Sequence, residues 1–154
     1  MNCATPAPAA WLLQKESSDN LSNAMTRQGS LARSAPRPAD KAAVVSKGVM
    51  RAAARLELPN RVLAAVLGLS EATVSRMGAG AYQLDPDAKP FELAVLFLRL
   101  FRSLDAVVGG DVAVARAWLR NPNTAFGAAP ITLIESVAGL VHVVAYLDER
   151  RALA

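Results

Sequence analysis

The chain has 154 residues, 53% of them hydrophobic but only 5% aromatic, with alanine supplying much of the apolar share. That balance favours helices over sheets, because alanine is the best helix former and strands draw on aromatic and β-branched residues. The single cysteine, Cys3, excludes an intrachain disulfide framework and a cysteine-based metal cluster. The net charge of +4 is unevenly spread: residues 1–40 carry +1, 41–84 carry +4, 85–110 carry −1 and 111–154 carry zero. The excess over 41–84 comes from Lys41, Lys47, Arg51, Arg55, Arg61 and Arg76 against Glu57 and Glu71. It suits a polyanionic partner. No basic leader with an apolar run opens the chain, and its longest uncharged apolar-rich run, Ser136 to Leu147, has 12 residues. About 18–20 are needed to cross a bilayer, so a soluble, cytoplasmic protein is expected.

Residues 1–40 hold Pro6, Pro8, Pro36 and Pro38 among Ser, Asn, Gln and Ala without a sustained period, and read as a disordered arm. Met25 offers an alternative start. From Asp40 the pattern turns helical. Asp40 is the expected cap of a helix with Val44, Val45, Val49, Ala53 and Leu56 at three- and four-residue spacing, ended by Pro59. Asn60 is the expected cap of the next, with Val62, Leu63, Val66 and Leu67 inward.

Residues 60–80 have the pattern of a helix-turn-helix. Ala64 is small enough for a close crossing, Gly68 takes the bend, Leu69 plugs the space between the helices, and Ser70 caps a third helix from Glu71 to about Met77. Val74 and Met77 then face inward. Glu71, Ala72, Thr73, Ser75 and Arg76 face out, where the first turn of a recognition helix meets base edges. Arg61, Glu71, Thr73, Ser75 and Arg76 are the candidate DNA-facing residues: hydroxyls for phosphates or bases, and Arg76 for a phosphate or guanine. A plain helical hairpin, or a helix-turn-helix that no longer binds DNA because Glu71 repels phosphate, fits the same residues.

Gly78 and Gly80 stop that helix, and Leu84 to Asp87 form a turn. A long helix follows from Pro90 to about Val108, closed by Gly109 and Gly110. Its apolar residues, from Phe91 to Leu104, cover nearly every face, which predicts burial all round. Two arrangements satisfy that: a homodimer with this helix near the interface, suited to a palindromic operator, or a central helix within one chain. Asp111 caps a shorter helix to Leu119, Asn121 to Asn123 turn the chain, and Pro130 is expected to open one final helix to about Arg151. On it Leu133, Val137, Leu140, Val141, Val144 and Leu147 form a stripe, flanked by Ile134, Ala138 and His142. The expected fold is all-α with five to seven helices. Its parts are an arm at 1–40, a helix-turn-helix domain with the long helix at 41–108, and a C-terminal module at 109–154.

The last third carries a further pattern: Trp118-Leu119, Pro122-Asn123, Ala125-Phe126-Gly127, Pro130-Ile131, Leu133-Ile134, Gly139-Leu140-Val141, Val143-Val144 and Tyr146-Leu147-Asp148. It resembles the toxin-binding domain of Xre/MbcA/ParS-type antitoxins, and the helix-turn-helix before it resembles their Xre-like N-terminal domain, over about residues 45–152 together. Gly127-Ala128 departs from the Gly-Gly frequent there, and the arm is longer than usual. The resemblance implies an antitoxin paired with a RES-domain toxin that degrades NAD⁺. It also implies a C-terminal helix and tail that block the toxin's active site, and a complex that represses its own operon. By position Tyr146, Asp148, Glu149, Arg150 and Arg151 would be the toxin-binding residues. Asp148 or Glu149 would be the plug in a basic nucleotide pocket, with Arg150 and Arg151 pairing at its rim. The same charges also suit a solvated helix end.

No phosphate loop, zinc spacing or paired-carboxylate motif occurs, and the one histidine, His142, has no carboxylate partner near it in sequence. No enzyme activity, cofactor or metal is expected. The competing function is a stand-alone transcriptional regulator whose C-terminal module serves only dimerisation.

Overall fold

The computed structural model describes residues 37–152. Cys3, Met25 and residues 1–36 of the arm expected over 1–40 lie outside the described residues. Seven helices follow one another: α1 (Pro38–Leu56), α2 (Asn60–Leu67), α3 (Glu71–Gly78), α4 (Lys89–Val107), α5 (Val112–Arg120), α6 (Pro130–Leu133) and α7 (Val137–Ala152). Among the described residues only an isolated bridge between Asn123 and Ala128 has strand character. None of the described helices is long and apolar enough to cross a membrane.

Two starts differ from expectation for the same reason. Arg37, extended at φ −62° and ψ 154°, is the N-cap of α1, and Pro38 opens the helix where its missing N–H has no partner to lose. Asp40 therefore caps from inside the first turn, accepting the Arg37 backbone N–H at 3.2 Å, and residues 38–40 belong to the helix rather than to the arm. Pro59 likewise occupies the N-cap of α2, so Asn60 is that helix's first residue and not its cap. Each proline sets the extended entry that a capping side chain was expected to provide.

The turn between α2 and α3 forms as its residues dictate. Gly68 adopts φ 65°, and Leu69 donates to the Ala64 carbonyl at 2.9 Å. Ser70 accepts the Thr73 N–H at 3.1 Å, which satisfies one of the free amides of the α3 N-terminus. Beyond α3 the chain crosses α1, where the backbone N–H of buried Leu84 donates to Ser46 Oγ at 3.0 Å. Ser46 is itself buried, so this bond meets the need of two polar groups removed from water.

The long helix α4 is the centre of the molecule. Leu93, Ala94, Phe97, Leu100, Ser103 and Leu104 are buried along it, packed against α7, α1, α2 and α5. A second chain is thus not needed to bury it. Helix α7 folds back along α4 and covers it with Leu140, Val143, Val144 and Leu147. An open strip remains, centred on Val95 at 47% exposure, with half-buried Phe91 and Leu98 beside it.

The single final helix expected from Pro130 is broken. Ser136 accepts the Gly139 N–H at 3.1 Å and donates to the Leu133 carbonyl at 3.2 Å, which ends α6 and starts α7. Gly139 permits the elbow because a Cβ there would run into the Leu133 carbonyl. The break shifts the helical phase. The buried row is Ile134, Leu140, Val143, Val144 and Leu147, while Val137 and Val141, expected in the stripe, are half out in solvent at 53% and 48%.

Candidate functional site

Helix α3 turns Val74 and Met77 into the core and leaves Glu71, Ala72, Ser75 and Arg76 exposed, with Thr73 half-buried. The outward set expected of a recognition helix is therefore on one surface. Its members are linked: Thr73 Oγ1 lies 2.9 Å from Ser70 Oγ and accepts from Arg76 Nη2 at 3.1 Å. The Arg76 guanidinium also stands 6.0 Å from the centre of the Tyr82 ring. Arg76 is thus held between a hydroxyl and an aromatic face before any partner arrives. Arg61, on the first turn of α2, makes an ion pair with Glu135 at 3.3 Å.

Helix α1 adds charge that the motif reading did not single out. The Met50 methyl approaches Gly78 at the end of α3 closely enough that a Cβ there would sit 3.2 Å from it. Lys47, one turn before Met50 on the same face, and Arg51 are both exposed. They add exposed positive charge to the helix that packs on α3. The charge tally over residues 41–84 contained this signal, and only the packing of α1 on α3 gives it a location.

The C-terminal half is organised by rings. Phe126 meets Trp118 edge-on at 6.3 Å and Tyr146 at 4.9 Å, while Tyr146 stacks on Trp118 at 6.4 Å. His142 packs edge-on against Phe126 at 5.2 Å, a surface histidine serving as an aromatic neighbour. Such pairs contribute about 0.5–1.5 kcal/mol each beyond their burial. The Arg150 guanidinium lies 5.2 Å over the Tyr146 ring, so the aromatic cluster aims the last turn of α7. Glu149, Arg150 and Arg151 are exposed there. Arg151 also borders a cleft of about 370 Å³ with Arg99 and Arg102.

Asp148 does not stand with them. Its Oδ1 accepts from buried Ser103 at 2.6 Å, and its Oδ2 lies 2.5 Å from Arg99 Nη2 as an ion pair. The Ser103 hydroxyl, and after it the Arg99 guanidinium, holds its carboxyl below the usual range against a burial that pushes it up. In the structure the Asp148 side chain, named with Glu149 as a plug, is thus engaged as an anchor of α7 on α4.

Other polar contacts join the same two halves. Arg116 Nε donates to the Arg55 carbonyl at 2.8 Å, and its Nη1 pairs with Glu57 at 2.7 Å. Arg120 donates to the Leu56 and Glu57 carbonyls at 3.3 and 2.9 Å. Two arginines of α5 thereby satisfy the last carbonyls of α1. Glu57 has φ 52°, where glycine is usual. Its carboxylate and carbonyl are both held by α5, which accounts for a side-chain-bearing residue in that conformation. Arg55 also pairs with Asp105 at 3.8 Å.

Residues 35–99 match the model of the antitoxin Xre-like helix-turn-helix domain, and residues 103–152 match that of the antitoxin Xre/MbcA/ParS C-terminal toxin-binding domain. No match to a curated protein was found. The fold and the two matched domains define a class of protein with a helix-turn-helix at one end and a toxin-binding module at the other. The chain belongs to the Xre/MbcA/ParS antitoxins. The two matches meet within α4, so the helix that carries the central core serves both domains.

Proposed function

We propose that this antitoxin belongs to a type II toxin–antitoxin system in the cytoplasm, that it binds and blocks a RES-domain toxin which degrades NAD⁺, and that it represses its own operon by binding operator DNA. It acts by binding alone. The observation that carries this reading is the pairing of an exposed polar α3 with a toxin-binding module whose last turn is aimed by Trp118, Phe126 and Tyr146.

On the DNA side, Ser75 and Arg76 are the base- or phosphate-facing groups, Thr73 positions Arg76, and Arg61, Lys47 and Arg51 supply charge. Glu71 at the start of α3 restricts how that helix approaches phosphate. On the toxin side, Tyr146, Glu149, Arg150 and Arg151 make the contact, and Asp148 serves it indirectly by fixing α7. The half-exposed Val137 and Val141 and exposed His142 extend an apolar surface beside them.

A homodimer forms on the open strip of α4. Val95 lies at its centre, Glu92 towards its start, and Arg99 and Arg102 towards its end. Two copies related by a two-fold axis would bury the two apolar strips against each other, Val95 facing its counterpart. Light scattering on a Val95→Glu protein should then show a smaller particle than the parent. A parent that is strictly monomeric overturns the dimer.

Co-expression with the neighbouring RES-type reading frame tests the function. The chain should rescue growth, and a variant with Glu149, Arg150 and Arg151 all replaced by Ala should not, while its gel shift with upstream DNA is unchanged. These substitutions leave the Asp148 anchor in place, which truncation after Leu147 would remove. Rescue by the triple variant would show that the tail is not the plug. A neighbour that stays toxic beside the intact chain would leave the stand-alone regulator as the reading.

A further inference from the structure

The Arg61–Glu135 ion pair joins two surfaces with different partners. Arg61 sits on the first turn of α2, the helix that leads into the turn before α3, and the first helix of such a motif crosses the DNA backbone. Glu135 sits in the elbow between α6 and α7, within the toxin-binding match. The arginine side chain is 66% exposed and the carboxylate 30% exposed, so a phosphate can approach the guanidinium from solvent and compete with the carboxylate for it.

We propose that Glu135 masks Arg61, so that phosphate engagement by Arg61 exchanges one ion pair for another and the toxin-binding module sets the affinity of the DNA-binding one. The inference rests on the DNA-binding reading above and adds the residue through which the other half reaches it. The elbow that carries Glu135 is turned by Ser136 and Gly139, residues of the C-terminal match. A displacement of that elbow would carry the carboxylate away from Arg61, which stands on α2. Any shift of Glu135 away from Arg61 frees one cation for DNA. Because the pair is largely solvated, the exchange is worth a small factor rather than an on–off switch.

The test needs no knowledge of the operator, because a phosphate contact is independent of sequence. The full-length chain is titrated with a mixed-sequence duplex over a range of salt concentrations, as parent, Glu135→Gln, Arg61→Ala and the double variant. Asp87→Asn, an acid in the loop before α4, controls for the change in net charge. Glu135→Gln should bind about two- to five-fold more tightly than Asp87→Asn at low salt, with a salt slope steeper by up to about 0.9, the value of one added phosphate contact. In the Arg61→Ala background the Glu135→Gln gain should vanish. Binding equal to that of Asp87→Asn overturns the proposal, and so does weaker binding, which would make Glu135 a support for Arg61 rather than a mask. Absence of binding by the parent at the lowest salt would remove the DNA-binding reading itself, and the proposal with it. That outcome is distinct, because the others all require measurable parental binding.

Discussion

The helix-turn-helix and the C-terminal module satisfy their polar groups in different ways. In the first, the defining bonds are short in sequence: Ser70 to Thr73, Leu69 to Ala64 and Arg76 to Thr73. In the second, several that fix its position reach far along the chain, from Asp148 to Ser103, Arg116 to Arg55, and Arg120 to Leu56 and Glu57. The motif that presents α3 is specified by local bonds, whereas the toxin-binding module takes its placement from the helices it lies against. Local damage should therefore stay local in the first and spread in the second.

The largest effect should come from Phe97, which is fully buried at the centre of α4. Phe97→Ala should cost about 3–5 kcal/mol. Because α4 serves both halves, urea unfolding followed by circular dichroism and by tryptophan fluorescence should shift together; two separated transitions would show that the halves are independent.

Asp148→Ala comes next, at about 2–3 kcal/mol, since it removes a charge-assisted bond and leaves the buried Ser103 hydroxyl unpaired. The lowered carboxyl value also fixes a pH dependence. Its stabilisation is complete above the unfolded carboxylate range of about 4 and is lost as pH falls through the lower folded value. Acid titration of stability in the Asp148→Asn protein should lack that component, and an acid limb identical to the parent's would show that the anchor contributes nothing.

Gly139→Ala should cost about 1–3 kcal/mol by crowding the elbow against the Leu133 carbonyl. It should impair toxin neutralisation and, by displacing Glu135 from Arg61, leave duplex binding unchanged or slightly stronger; a matching loss of duplex binding would contradict the masking of Arg61. Ser70→Ala should be the mildest, at about 1 kcal/mol through one unsatisfied helix amide. Its effect should concentrate in hydrogen exchange of the α3 amides, with the aromatic cluster unchanged.

The same difference in range explains what could be read from the residues in order. Gly68, Ser70 and Asp111 announce themselves because each acts within a few residues, and the structure has all three in the expected roles. Asp40 and Asn60 carry capping side chains too, but Pro38 and Pro59 beside them set the helix starts through backbone geometry. The α6–α7 break was hidden beneath a continuous apolar pattern, and Gly139 was its one visible sign. Asp148 looked like one of four charges at a helix end. Its partners, Ser103 and Arg99, stand more than forty positions away on α4, a relation that no local pattern encodes. The placement of Glu135 against Arg61 was illegible for the same reason.

The shared helix α4 has a consequence for the lifetime of the molecule. A protease acts on opened chain, and an element common to both ends makes opening a joint event. A ligand that binds only the closed form lowers the opened population wherever it binds. Duplex held at α3 would therefore prolong the survival of the toxin-binding surface, and a toxin held at α7 would prolong that of the DNA-binding one. The two ends would then share a single clearance rate, and the protection given by the two partners would add.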